Sequence, residues 1–330
     1  MKTAPAIAAG AASPRPILAA GVQAMRAILL TVGTLALCAA FQCASAQAEK
    51  GGATIKGAEP PAQAESEAGP EASDTLHVCA DPSSLPQSND RGEGYENKIA
   101  EQLAHDLGKK IDYTYFPQRM GFVRNTLRSR DETTLKYKCD VIMGVPLGYD
   151  MTATTKPYMR STYALVFTDH PDFKSVKTPQ DFLALPPQKL HSLRIGIFGF
   201  SPAANWLLQN GLIERAQVYP PQSGDPKETP GSTVERDLSS GKIDAAVVWG
   251  PFAGLMVSEH SGPHAWTAVP FKADQKIKFD YEISMGVRFG EKKWKDTLDQ
   301  WISSHQAQIN SILTSYHIPL LPTTEAAPAS

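Results

Sequence analysis

The chain has 330 residues, of which 42% are hydrophobic, 20% charged and 8% aromatic, with 32 Lys and Arg against 34 Asp and Glu. At roughly 100–200 residues per domain there is room for two structural units with cores of their own, so neither a metal nor a disulfide is required for folding. A net charge of −2 with no Lys/Arg block excludes the electrostatic footprint of a nucleic-acid binder.

Arg26 precedes the mostly apolar run Ala27–Phe41, and Ala44-Ser45-Ala46-Gln47-Ala48 then offers two A-x-A-like cleavage sites. This is the layout of a secretory signal. Because the basic residue adjoins Met25, residues 25–48 are read as the signal peptide and 1–24 as an upstream extension. The run falls short of the ~20 residues of a membrane span, and no later stretch is long enough for one. Neither Cys38 nor Cys43 follows a small residue, as lipid attachment would require. The expected product is a soluble periplasmic protein without a membrane span. It keeps two cysteines, Cys79 and Cys139. Export permits a disulfide between them, which is the expectation here; the alternative is two buried thiols. A Cα separation above ~7 Å would forbid the bridge.

Residues 49–74 are rich in Ala, Glu, Gly and Pro with Ile55 as the only large aliphatic side chain, the composition of a disordered linker. An apolar strand, Leu76–Ala80, then breaks at Asp81-Pro82. Ile99, Leu103 and Leu107 recur every four residues, one stripe of a helix ended by Gly108. Ile111, Tyr113 and Tyr115 alternate with polar residues as in a strand. Phe122, Val123, Thr126 and Leu127 resume helical spacing, and Val141–Val145 is a buried strand. The same β-α-β-α-β order returns in strand Arg194–Phe198, helix Ala203–Leu208, a short strand near Ala216–Tyr219, helix Val234–Leu238 and strand Asp244–Trp249. Both third strands open on Lys-x-Asp and close on Gly. Two such units predict two α/β lobes with parallel sheets. Thr162–Phe167 and Ile283–Phe289 are the candidate crossing strands between them. The expected boundaries are 75–166 for lobe 1, completed by 283–318 with a final amphipathic helix, 167–282 for lobe 2, and a disordered tail at 319–330.

Ligands of such sheets bind at the carboxyl ends of the strands, so facing lobes would share one cleft. This selects Asp81, Ser84, Tyr95, Glu96, Pro146 and Tyr149 from lobe 1, Arg160 and Ser161 beside the hinge, and Phe200, Ser201 and Trp249 from lobe 2. Ser201 reads equally as a ligand group at a helix start or as a plain N-cap. Trp249 is a stacking wall or core packing. Gly199-Phe200-Ser201-Pro202 has the setting of a hydrolase nucleophile, but Pro202 lacks the N–H that the oxyanion would need. Gly92-Glu93-Gly94 reads as a turn, since Asn97 stands where a dinucleotide loop has its third glycine. Gly262-Pro263 keeps His260 and His264 from zinc-like helical spacing. No catalytic residue, metal site or cofactor is therefore expected. Arg119 and Arg124 either meet an acidic partner or are solvated helix arginines, the commoner case.

From about Leu76 to Tyr316 the chain resembles the family 3 extracellular solute-binding proteins, which implies the type II periplasmic binding protein fold. It departs from them at the amino-acid clamp. No Arg occurs in Gly148–Thr154, where one would hold the α-carboxylate, and Trp249 stands where an Asp would hold the α-ammonium. Five longer motifs resemble the quinoprotein dehydrogenase-associated binding proteins of MxaJ/XoxJ type: Val78–Pro82, Gly92–Ala100, Pro117–Leu127, Cys139–Pro146 and Thr155–Tyr163. The polar stretch Arg130–Lys138 departs from their pattern as an insertion. This resemblance implies a non-enzymatic periplasmic accessory protein whose partner is a PQQ-dependent methanol/alcohol dehydrogenase, in maturation or activation. The rival expectation is the substrate-binding receptor of an ABC transporter for a small non-amino-acid ligand.

Overall fold

The computed structural model describes residues 69–221, 228–229, 231–274 and 276–323. The predicted upstream extension and signal peptide, most of the linker and the end of the tail lie outside the described residues. The first unit comprises β1 (Thr75–Ala80), the short β2 (Ser83–Ser84) and β3 (Ser88–Asn89), α1 (Tyr95–Asp106), β4 (Lys110–Tyr115), α2 (Phe122–Asn125) and β5 (Val141–Pro146). Helix α1 forms because Ile99, Ala100, Leu103 and Ala104 share one buried face while Lys98 and His105 stay in solvent. It ends in a Schellman motif: Gly108, at φ +64°, donates to the His105 carbonyl (3.0 Å) and Lys109 to that of Ala104 (2.8 Å).

Next come β6 (Ala153–Phe167), α3 (Pro179–Leu183), α4 (Pro187–Leu190), β7 (Ile195–Phe198), α5 (Pro202–Gln209), β8 (Ala216–Tyr219), α6 (Ser232–Ser239), β9 (Ala245–Trp249), α7 (Gly250–Glu259), β10 (Thr267–Pro270), β11 (Asp280–Val287) and α8 (Lys292–Ser315). The two units have the same topology. Each places its second strand, first strand and third strand side by side in parallel: β4-β1-β5 in one lobe, β8-β7-β9 in the other. An antiparallel strand then borders each third strand, β11 on β5 and β6 on β9.

Strand β6 joins the lobes. Its residues Ala153 to Thr162 pair with β11, and Tyr163 to Phe167 pair with β9, so strand pairing continues from one lobe into the other. The chain returns just before β11, where Tyr163 donates to the Phe279 carbonyl (3.0 Å) and accepts from the Phe271 amide (2.9 Å). Phe279 belongs to the second lobe's core, whereas Ile283 packs on the first. Two crossing strands thus connect two α/β lobes. Only the second half of β6 shows in the apolar pattern, because Lys156-Pro157 interrupts it; Pro157 is accommodated at a register shift opposite Ile283 and Ser284.

In each lobe a buried core packs on either face of the sheet. In lobe 1, Leu76, Val78, Met143 and Met285 pack against α1 and against Trp294, Leu298, Ile302 and Ile309 of α8. On the opposite face Phe122, Val123, Leu127, Ile142 and Val145 surround Cys79 and Cys139, which are bonded at a Cα separation of 5.4 Å. Adjacent residues of β6 serve the two cores of lobe 2, Leu165 and Phe167 on one side, Ala164 and Val166 on the other. The polar stretch Arg130–Lys138 folds back on itself, with Arg130 bridged to Tyr137. The Tyr137 ring lies between the guanidinium groups of Arg130 and Arg288, each 4.1 Å from its centre.

Candidate functional site

At the carboxyl end of β1 the chain makes a tight loop into α1. Asp81 accepts from the Ser83 amide (2.8 Å), and the Ser88 hydroxyl donates to the Asp81 carbonyl (2.9 Å). Ser84 is buried in the β2–β3 pair. The Tyr95 and Glu96 amides donate to the carbonyls of Pro86 and Gln87, both at 2.9 Å, and the Asn97 side chain accepts from Gly94 and Asn89. These bonds consume the N–H groups that a helix start would otherwise present to an anion.

Glu96 is therefore directed inward. Its carboxyl lies against Gly144 of β5, where a Cβ would come within 3.0 Å of its carboxyl carbon and overlap an oxygen. Burial first, and the Asp81 carboxylate second, push it up to about 8, so it is mostly a neutral acid at pH 7. Tyr95 and Tyr158 are buried beside it, and burial holds both phenols well above the usual range. The Tyr158 hydroxyl has no hydrogen-bond partner among the described residues.

Pro146 and Tyr149 lie on a different wall. With Gly144, Ile142, Val145 and Met151 they face the loop Gln118–Arg124 across a cavity of about 480 Å³. The disulfide-centred core forms its floor.

Arg160 and Ser161 are engaged elsewhere. Nε and Nη2 of Arg160 pair with Asp280 of β11 (2.9 and 2.7 Å), and Nη1 donates to the Pro322 carbonyl (3.0 Å). Ser161, fully buried, donates to the Pro319 carbonyl (2.7 Å) and bridges Leu320. The segment following α8 thus seals this side of the hinge.

In lobe 2, Phe200 is fully exposed in the left-handed region at φ +61°. Ser201 stands at the N-cap of α5 without a side-chain capping bond, because its hydroxyl turns back to donate to the Phe198 carbonyl (2.7 Å). Trp249 packs its ring against Tyr163 (5.5 Å between centroids) and Tyr281 (5.8 Å), with the Lys278 ammonium over Tyr281. These three aromatics come from β9, β6 and β11, at the point where the chain changes lobe. Sequence reasoning missed Tyr163, Tyr281 and Tyr158: the first two sit in runs whose apolar alternation reads as core, and Tyr158 follows the Lys156-Pro157 interruption of its strand. The eleven positions therefore separate into a buried acid cluster, a cavity wall, the sealed hinge face and the lobe 2 rim with its aromatic junction.

Among the described residues no cluster of His, Cys, Asp and Glu could hold a metal ion, and no helix is long and apolar enough to cross a membrane. No family model matches the chain. Two α/β lobes of identical strand order, joined by two crossing strands, define the type II periplasmic binding protein class. The crystal structure of the periplasmic binding protein XoxJ from Methylobacterium extorquens AM1 superposes with a TM-score of 0.59 and 33% identity, covering 75% of this chain and 99% of that one. The chain belongs to this XoxJ family of periplasmic binding proteins. It is also 29% identical over 273 residues to protein MoxJ of Paracoccus denitrificans, covering 78% of this chain and 94% of that protein. MxaJ from Methlophaga aminisulfidivorans MPT shares the fold, with a TM-score of 0.60 at 23% identity over 74% of this chain and all of that one.

Proposed function

We propose that this protein is a non-catalytic periplasmic accessory factor that assists a PQQ-dependent methanol/alcohol dehydrogenase in its maturation or activation. The observation that carries the reading is a family fold kept without a grip for a zwitterion. The cleft-side acid Glu96 is buried and mostly neutral, Arg160 near the hinge is tied to Asp280, and Trp249, which the family resemblance sets where an ammonium-binding carboxylate would stand, packs on Tyr163 and Tyr281. Likeness to XoxJ and MoxJ supports the link to the dehydrogenase. The test is a deletion strain: methanol dehydrogenase activity is expected to fall, to recover on complementation, and the dehydrogenase to co-purify with the tagged protein. Unchanged activity without the protein would refute the reading.

The aromatic junction of Trp249, Tyr163 and Tyr281 favours a second reading, a transport receptor that stacks a small non-amino-acid solute at the hinge. A ligand at ~100 Kd would add ~2.7 kcal/mol to stability, so a thermal-shift screen of candidate solutes distinguishes the two.

A further inference from the structure

The cavity beside Pro146 and Tyr149 is formed by lobe 1 alone, so its shape does not depend on how far the lobes are closed. Its lining is mainly apolar: Phe122, Val123, Ile142, Val145, Tyr149 and Met151. Met120 stands at its edge, 99% exposed. An unbranched thioether exposed beside an apolar cavity suits adaptable contact with a partner.

The charged side chains that line the cavity, Arg119 and Arg124, have one sign. Between Phe116 and Arg130 there are four arginines and no Asp or Glu, in a chain whose overall charge is nearly balanced. Arg119 and Arg124 line the cavity, are exposed, and have no carboxylate partner among the described residues. Four arginines elsewhere find acids: Arg91 pairs with Glu93, Arg160 with Asp280, Arg194 with Asp244 and Arg288 with Glu291. The loop is also fixed in place. Its Gln118 amide donates to the Asp81 carboxylate, the Asn125 side chain donates to the Gly121 carbonyl (2.9 Å), and the Cys79–Cys139 bond lies beneath it. A preorganised apolar cavity rimmed by unpaired guanidinium groups complements an acidic protein segment that presents one large apolar side chain.

We infer that the dehydrogenase docks here, through an acidic segment that seats an apolar anchor in this cavity between Arg119 and Arg124. The inference rests on the proposed function and specifies its surface. It is tested by measuring, by biolayer interferometry, binding of the same organism's methanol dehydrogenase, apo and holo, to the full chain. R119E/R124E should bind at least tenfold more weakly and lose most of the salt dependence; M120A should bind severalfold more weakly. The matched reversal K174E/R215E on exposed lobe 2 sites should bind within twofold of the unmodified protein. The side chains of Arg119 and Arg124 make no hydrogen bond or ion pair among the described residues, so melting temperatures should not change, and R119Q/R124Q repeats the test without added acid. Full binding by R119E/R124E would overturn this docking site and leave the accessory role intact. Absence of binding by the unmodified protein would remove the accessory role itself.

Discussion

Glu96 and Gly144 compete for one volume: the Glu96 carboxyl occupies the space that a Cβ on residue 144 would need. The pair joins the start of α1 to the middle of β5. Gly144→Ala must expel the carboxyl or push the strand aside, at a cost of about 1–3 kcal/mol. In an E96A background the same substitution should cost much less. Urea titration of the two single variants and the double variant gives the coupling directly; additive effects would show that the two residues do not share this space.

The raised Glu96 fixes a pH dependence. An acid at about 8 in the folded state and near 4.5 in the unfolded state leaves the folded protein holding more protons between these values. Stability from this group therefore falls as pH rises from about 4.5 to 8, by up to a few kcal/mol, and is flat outside that window. Glu96→Gln should remove that slope and stabilise the protein at pH 8 and above. Asp81→Asn, which removes a repelling charge, should shift the window downward. Melting temperature against pH for the three proteins is the measurement, and identical slopes in the parent and E96Q would contradict the assignment.

Local pattern made much of this architecture readable. Ile99, Leu103 and Leu107 announce α1, and the two Lys-x-Asp strand openings announce a repeated unit, because helix stripes and buried strands depend on near neighbours in sequence. The neighbours that define Arg160 and Ser161 are distant: Asp280 lies 120 residues on and Pro319 lies 158 residues on from its partner. Nothing local distinguishes a hinge arginine offered to a ligand from one already paired. Glu96 was selected for its place beyond the carboxyl end of a lobe 1 strand, yet its burial is set by Gly144 in another strand and by loop carbonyls that use the helix N–H groups. Trp249 was legible as an aromatic at a strand end, while its partners on β6 and β11 emerge only from the crossing.

The pairing of Arg160 gives a prediction that separates structure from ligand chemistry. Its side chain and that of Asp280 are 23% and 15% exposed, and removing one partner strands the other together with the Pro322 carbonyl. Arg160→Met should destabilise the fold by about 2–3 kcal/mol while leaving dehydrogenase binding at low temperature unchanged. Lost binding with an unaltered melting temperature would instead make Arg160 a contact residue.

The disulfide and Arg288 hold the same corner. Cys79 and Cys139 are 60 residues apart, and closing a loop of that length stabilises by up to about 4 kcal/mol in the chain-entropy model. The nearly buried Arg288 donates to the Leu127 carbonyl (3.1 Å) and to that of Cys139, and pairs with Glu291 (2.7 Å). Arg288→Met leaves these oxygens and the Glu291 carboxylate unmatched, with an expected loss of about 3 kcal/mol. Because both devices fix the floor beneath the Gln118–Arg124 loop, the C79A/C139A protein should not only melt earlier but also show faster amide exchange in residues 118–128 than in lobe 2. Uniform acceleration across both lobes would mean that the bond stabilises the fold as a whole and does not specifically order the cavity wall.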